Sequence, residues 1–158
     1  MRILLVDDDD STRRLLDAML TKMGHEVVHA NDGQEAWKIL QHDQINFVLS
    51  DWVMPRMDGV ELCRRLRASN RTHYTYVVLF TGKDQDDDVV VAMEAGADDF
   101  LTKPVQAKEL KVRIESGRRV LSLEQSLNTK NRELELVNEA LKVSQQRILL
   151  DLQAAAAI

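Results

Sequence analysis

Apolar residues in the first hundred positions come in short, nearly uninterrupted runs, such as ILLV at 3–6, FVLS at 47–50 and YVVLFT at 76–81. The stretches between them repeat their apolar residues three or four apart. Short apolar runs bounded by turn signals mark strands buried on both faces, whereas the wider spacing marks helices with one apolar stripe. The pattern predicts five strands: Ile3 to Val6, Glu26 to His29, Phe47 to Ser50, Tyr76 to Thr81 and Asp98 to Thr102. Helical spacing falls on Leu15, Leu16, Met19 and Leu20, then on Ala36, Trp37, Ile39 and Leu40. It returns at Leu62, Cys63 and Leu66, and again at Val89, Val90 and Met93. Strands alternating with helices predict an α/β fold, a five-stranded parallel sheet wound on both faces. Punctuation agrees, with Gly24 and Gly96 where helices end and Asp10 or Ser11, Asp32 and Asp58 where they begin.

From Gln106 onward the chain changes character, with no proline, one glycine (Gly117) and many Leu, Glu, Lys, Arg, Gln and Asn residues. This predicts one long helix that continues the last helix of the domain, with a boundary near residue 120 and a coiled-coil segment over 121–158. Val120, Leu127, Leu134, Leu141, Ile148 and Ala155 recur every seven residues, the repeat that keeps one stripe facing a partner helix. With that stripe at d, the a positions are Glu124, Asn131, Asn138, Gln145 and Leu152. So polar a seam implies weak association. Asn at a favours one register and a two-stranded parallel form, so a homodimer is the expected assembly.

Composition narrows the class. The 158 residues are 44% hydrophobic and 30% charged, with no stretch long enough to span a bilayer and no apolar core of a secretory signal at the N-terminus. A cytoplasmic protein without a membrane partner is expected. Cys63 is the only cysteine, which excludes an internal disulfide framework and a thiolate metal cluster. The formal net charge of −5 is unevenly spread: residues 1–104 hold 19 acids against 12 bases, and residues 105–158 hold 7 against 9. Nucleic-acid affinity comes mainly from Lys and Arg neutralising phosphates, so no nucleic-acid partner is expected and a divalent cation suits the acidic domain better.

The candidate chemistry lies at strand ends. Asp7 and Asp8 follow the first strand, Asp51 the third, Thr81 ends the fourth, and Lys103 with Pro104 follows the fifth. In a parallel sheet all of these share the carboxyl edge, where open α/β sheets bind their ligands. Three carboxylates brought together repel one another unless a hard cation with oxygen ligands joins them, and Mg²⁺ fits because it leaves coordination sites open for phosphate oxygens. Asp51 is placed to act as a carboxylate nucleophile, with the Lys103 ammonium and the Thr81 hydroxyl neutralising the oxygens of a transferring phosphoryl group.

Other residues with suggestive chemistry read more simply. Asp9 and Asp10 suit helix capping or solvent, and Asp84, Asp86, Asp87 and Asp88 suit the start of a fourth helix, where negative charge complements the dipole. His25 and His29 are four apart on a strand, which is not the helical metal-binding spacing, and His42 and His73 read as surface residues. Trp52 beside Asp51 reads as a pocket-edge aromatic rather than a core one.

VDDDD after the first strand, LSDWVMPRMDG, LFTG and AGADDFLTKP, in this order and spacing, resemble the receiver domains of bacterial response regulators over about residues 1–120. The resemblance implies a flavodoxin-like fold and phosphorylation on Asp51 by a sensor histidine kinase or phosphotransfer protein. It also implies Asp7 and Asp8 as an acidic pair, with Mg²⁺ bound by Asp8, Asp51 and the Val53 backbone carbonyl. Thr81 and Phe100 match the switch pair, Lys103 the functional lysine, and the Lys103–Pro104 bond is expected to be cis. Val53 and Lys83 occupy the positions that tune phosphoryl lifetime; neither orients an attacking water, which implies moderate to slow self-dephosphorylation.

The tail is too short and uniform for a winged-helix DNA-binding domain, so a transcription factor is disfavoured. ILLDLQAAAAI ends inside a strong helix without a capping signal, as if a longer protein continued. It resembles the helix leading into metal-dependent serine/threonine phosphatase domains. The chain itself holds no separate catalytic domain. Receivers with such stalks also precede diguanylate cyclases and histidine kinases. The expected function is therefore a phosphoacceptor receiver relaying its state through a dimeric coiled coil to an output domain, a phosphatase first. A stand-alone adaptor that binds a partner protein, or the receiver of a diguanylate cyclase, is the alternative.

Overall fold

A computed structural model describes residues 1–82 and 86–158 of the chain. Lys83 and Asp84 of the expectations above lie outside the described residues, as does the side chain of Asp86. The element order is β1 (Arg2–Val6), α1 (Asp10–Lys22), β2 (Glu26–Ala30), α2 (Gly33–His42), β3 (Phe47–Asp51), α3 (Gly59–Ala68), β4 (Tyr76–Thr81), α4 (Asp86–Glu94), β5 (Asp99–Thr102) and α5 (Ala107–Ala156). All five strands run parallel in the order β2-β1-β3-β4-β5. The strands arise where the apolar runs predict them. Asp51 is the last residue of β3 rather than the first residue after it.

Alternation along the strands divides the core in two. Leu4, Val6, Val48, Val77 and Leu79 face one way, packed with Leu40, Leu62 and Leu66 from α2 and α3. Ile3, Leu5, Phe47, Leu49, Val78 and Phe80 face the other way, packed with Leu16 and Leu20 from α1 and Leu110 and Ile114 from α5. A strand covered on both faces is apolar along most of its length, which is why Phe47–Leu49 and Tyr76–Phe80 read as unbroken runs, with the buried polar residues Ser50, Asp51 and Thr81 confined to the carboxyl ends.

Side chains close the helix starts. Asp9 caps α1, which begins at Asp10, and accepts from the Thr12 N–H at 3.1 Å and the Thr12 hydroxyl at 2.6 Å, in line with the capping role expected of the acidic run. Asp32 and Asp58 cap α2 and α3 as expected, each accepting at 2.8 Å from the N–H three residues on. Gly24 and Gly96 have φ of +88° and +98°, the left-handed backbone that ends helices most cheaply at glycine. Gly117 allows a close approach: a Cβ there would lie 2.4 Å from the Phe47 ring.

At the amino edge of the sheet, Asp98 ties α3 to β4 and β5. Its carboxylate accepts from Arg67 Nη2 at 2.7 Å, from the Val77 N–H at 2.7 Å and from the Tyr74 hydroxyl. Arg67 also donates to the Gly96 and Thr75 carbonyls, both at 2.8 Å, and its guanidinium lies 4.6 Å from the Tyr74 ring centroid. Burial, then the bond to Asp98, pushes the Tyr74 hydroxyl well above the usual phenol range. Asp98→Ala strands a largely buried guanidinium and a backbone N–H, and is expected to cost about 3 kcal/mol, read as a lower midpoint in urea unfolding.

The chain divides into two compact units, Met1–Leu121 and Ser122–Ile158. In the second unit, residues 125–158 are exposed throughout. Among the described residues no helix is long and apolar enough to cross a membrane.

Candidate functional site

The carboxyl edge of β1, β3, β4 and β5 brings the candidate residues together. Asp7 follows β1 and remains in the sheet's bonding pattern, its N–H donating to the Ala30 carbonyl at 3.2 Å. Across the switch point, where chain order reverses between β1 and β3, Asp51 closes β3. Asp7, Asp8 and Asp51 each present a carboxylate oxygen within 4.8 Å of the others, with Asp7 and Asp51 buried and Asp8 exposed. Lys103, just past β5, reaches over them. Its Nζ donates to Asp51 Oδ2 at 3.0 Å and stands 3.8 Å from Asp7 Oδ2, an ion-pair distance too long for a hydrogen bond. The Lys103–Pro104 peptide is cis, as the resemblance implies.

Backbone groups fix the carboxylates. The Trp52 N–H donates to Asp51 Oδ1 at 2.8 Å, and the Asp9 N–H donates to Asp7 Oδ1 at 2.9 Å. Asp7 Oδ2 is buried without a hydrogen-bond partner. Burial raises both Asp7 and Asp51 above the usual carboxylate range. For Asp7 the Asp9 N–H and Lys103 oppose that rise while Asp51 and Asp8 add to it; for Asp51, Lys103 opposes it and Asp8 adds to it. Two unit charges about 5 Å apart repel by roughly 3 kcal/mol at an effective dielectric near 20, and one ammonium cannot offset three carboxylates. An unpartnered buried oxygen beside two further carboxylates is the donor set a hard divalent cation takes.

The remaining candidates sit around this cluster. Thr81 ends β4 and is buried at 3% exposure. Phe100, half-buried in β5, meets Trp52 edge-on with ring centroids 6.3 Å apart, and both rings pack, partly buried, against the core beneath α2 and α3. Val53 lies two residues past Asp51 and is 59% exposed. Asp10 is not one of the clustered acids and pairs with Arg13. Asp87 and Asp88 belong to the first turn of α4.

Three supports had no clear signal in the sequence. Arg13 Nη1 donates to the Asp7 carbonyl at 2.7 Å and braces the turn that carries the acids. Arg56, at φ +68°, reaches back to the buried Asp32, its Nε 2.7 Å from Oδ2, and so ties the β3–α3 loop to the start of α2. Gly59 follows the cap Asp58, and a Cβ there would lie 2.3 Å from the Asp51 carbonyl oxygen, so the start of α3 presses directly on the strand end that presents Asp51. The DG pair after MPRM is the one hint of this contact.

Known proteins resemble this chain in sequence and fold. Residues 3–115 match the family described as the response regulator receiver domain. The transcriptional regulatory protein AfsQ1 of Streptomyces coelicolor is 41% identical over 112 residues, covering 71% of this chain and 48% of that protein. The chemotaxis protein CheY homolog of Campylobacter jejuni is 32% identical over 117 residues, covering 73% of this chain and 90% of that one. A solved structure described as a probable two-component system response regulator/GGDEF domain protein superposes with a TM-score of 0.71 at 30% identity, covering 77% of this chain and 50% of that one. The chain spans about half the length of the curated relatives it matches first. Because the matched span runs from β1 into α5 and takes in the whole acidic edge, this chain belongs to the response regulator receiver domains of two-component signalling.

Proposed function

We propose that Asp51 is the phosphoacceptor. The observation that carries this is the convergence of Asp7, Asp8 and Asp51 with Lys103 Nζ 3.0 Å from the Asp51 carboxylate. The donor is a phosphohistidine of a sensor histidine kinase or phosphotransfer protein. An Asp51 carboxylate oxygen attacks phosphorus, a new P–O bond forms, the donor's P–N bond breaks, and the leaving imidazole takes a proton from solvent. Lys103 neutralises one phosphoryl oxygen and the Thr81 hydroxyl donates to another. The N–H of Trp52 keeps Asp51 oriented through the oxygen not engaged by Lys103. Asp8, Asp51 and the Val53 carbonyl, with Asp7 beside them, would hold Mg²⁺, which when bound supplies charge neutralisation at the phosphoryl oxygens. As Thr81 turns toward the phosphoryl group, Phe100 moves from its edge contact with Trp52, and that movement is the receiver's output.

The tail carries the state onward by self-association of its heptad stripe, to an output domain of the metal-dependent serine/threonine phosphatase type. The likeness to a receiver/GGDEF protein favours a second output, a diguanylate cyclase. A partner-binding adaptor is the third.

Sedimentation of the chain with Mg²⁺, with and without beryllofluoride as phosphoryl mimic, tests the relay. A shift in association or shape that disappears in Asp51→Asn is the expected result. An identical profile in all conditions would separate the acidic site from the tail and sink the relay.

A further inference from the structure

Apolar side chains stay uncovered along the second unit, with Leu123, Leu127, Leu134, Val137, Leu141 and Ile148 all 54–70% exposed. These six fall on a single seam when the heptad stripe is placed at a instead of d. The d positions are then Leu123, Lys130, Val137, Ser144 and Asp151, more apolar than the Glu, Asn and Gln that the opposite frame sets beside the stripe. Leu136, Val143 and Leu150 lie at c, outside the seam, and stay at the surface.

The charges of the seam decide how two copies face each other. In a parallel pair each core layer joins a residue to itself, so Lys130 opposes Lys130 and Asp151 opposes Asp151. Glu133 and Arg147, at g, then flank Asn138 and Leu152 of the second copy at e and meet no opposite charge. In an antiparallel pair a layers on d, and g faces g. One register stacks Leu141 on Val137, Leu134 on Ser144, Ile148 on the stem of Lys130, Leu127 on Asp151 and Ala155 on Leu123. That register sets Glu133 across from Arg147 of the second copy, and places Lys130 about 4.5 Å along the axis from its Asp151. Lys130 and Arg147 meet there with Asp151 and Glu133 on either side, so each cluster of four is neutral. The two-fold axis forms the cluster twice. Sliding by one heptad either way sets Arg147 against Ala140 or Ser126 and Glu133 against Ala154 or Ala140. Opposite charges at such positions choose direction and register more than they add stability.

We propose that residues 123–155 pair two copies of this chain antiparallel, with the stripe at a and the Glu133–Arg147 pairs fixing direction and register. This rests on the reading that the tail self-associates, and it reverses the direction that asparagine at a implies.

The test is the distance between spin labels in the dimer of the full chain. Cys63 is buried, its thiol pushed up by burial to about 11, so it stays unlabelled. Gln125→Cys and Glu139→Cys each place a label at an outward f position. In the antiparallel pair the labels at 139 are level, and those at 125 are about 42 Å apart along the axis. In a parallel pair both sites give the same short distance. A short distance at 139 with a long one at 125 is the expected result. Short distances at both sites would overturn the proposal and leave self-association standing, and a monomer without dipolar coupling at either site would overturn both. Arg147→Glu is expected to weaken dimerisation about tenfold in sedimentation, since two exposed pairs become repulsive at once, and Arg147→Glu combined with Glu133→Arg to restore it. A dimer indifferent to Arg147→Glu would overturn the register.

Discussion

Asp51→Asn takes up no phosphoryl group from a small acyl phosphate, while the wild-type chain gains the mass of one phosphoryl per copy. The amide keeps the shape of the side chain and an oxygen to accept the Trp52 N–H, which the carboxylate now accepts at 2.8 Å. It lacks the negative charge and lone-pair basicity that make a carboxylate a nucleophile, so the loss falls on chemistry and not on folding. Lys103→Ala acts differently. It leaves the nucleophile and removes a preorganised cation that donates to Asp51 at 3.0 Å, so uptake slows by about 10²–10³-fold, the usual effect of deleting one such donor. Intact-protein mass spectrometry against time reads both variants. Uptake that persists in Asp51→Asn but stops in Asp8→Asn would move the acceptor to Asp8 and sink the assignment.

Much of this site is legible in the sequence because its residues sit at strand ends, and strand ends show as the points where apolar runs stop. ILLV stops at Asp7, FVLS at Asp51 and YVVLF at Thr81, so a parallel sheet is enough to bring them to one edge. The contacts that hold them are less visible, because they use groups every residue carries or residues whose role is set by distance. The N–H groups of Trp52 and Asp9 orient the two buried carboxylates, and no side-chain pattern marks them. Arg13 and Arg67 read as ordinary surface charges of amphipathic helices, yet one holds the Asp7 carbonyl and the other spans α3, Thr75 and Asp98. Gly59 and Gly117 are visible as glycines, but what each presses against depends on the crossing of elements far apart in sequence. The tail shows the opposite case. Its pattern is legible along the helix, and the frame in which that pattern packs depends on the neighbours it meets.

In metal-free solution at neutral pH, Asp7→Asn makes the receiver more stable than the wild type, and Mg²⁺ reverses the order. The wild-type site holds two buried carboxylates beside an exposed third, with Asp7 Oδ2 lacking a hydrogen-bond partner. Burial raises the folded-state Asp7 above its unfolded value of 3.8, so the folded protein binds the extra proton more tightly than the unfolded chain does. The stability that this proton supplies is fully present below 3.8 and is lost as pH rises through the raised folded value. Asp7→Asn has no such loss, so the gap between variant and wild type widens as pH rises through that window and then levels off. The new amide can also donate toward Asp8 and Asp51, and the gain at pH 7 is expected to be on the order of 1 kcal/mol. Mg²⁺ at about a hundred times its dissociation constant stabilises the wild type by about 2.7 kcal/mol, because it binds the folded site and not the unfolded chain. With one carboxylate gone the affinity falls, and the same Mg²⁺ concentration adds well under about 1 kcal/mol. Urea unfolding of both proteins in chelator and in Mg²⁺, at several pH values, reads all of these quantities. If Asp7→Asn is the less stable protein in chelator and responds to Mg²⁺ as the wild type does, Asp7 is a structural carboxylate satisfied by Lys103, and the metal, if bound, sits on Asp8 and Asp51 without it.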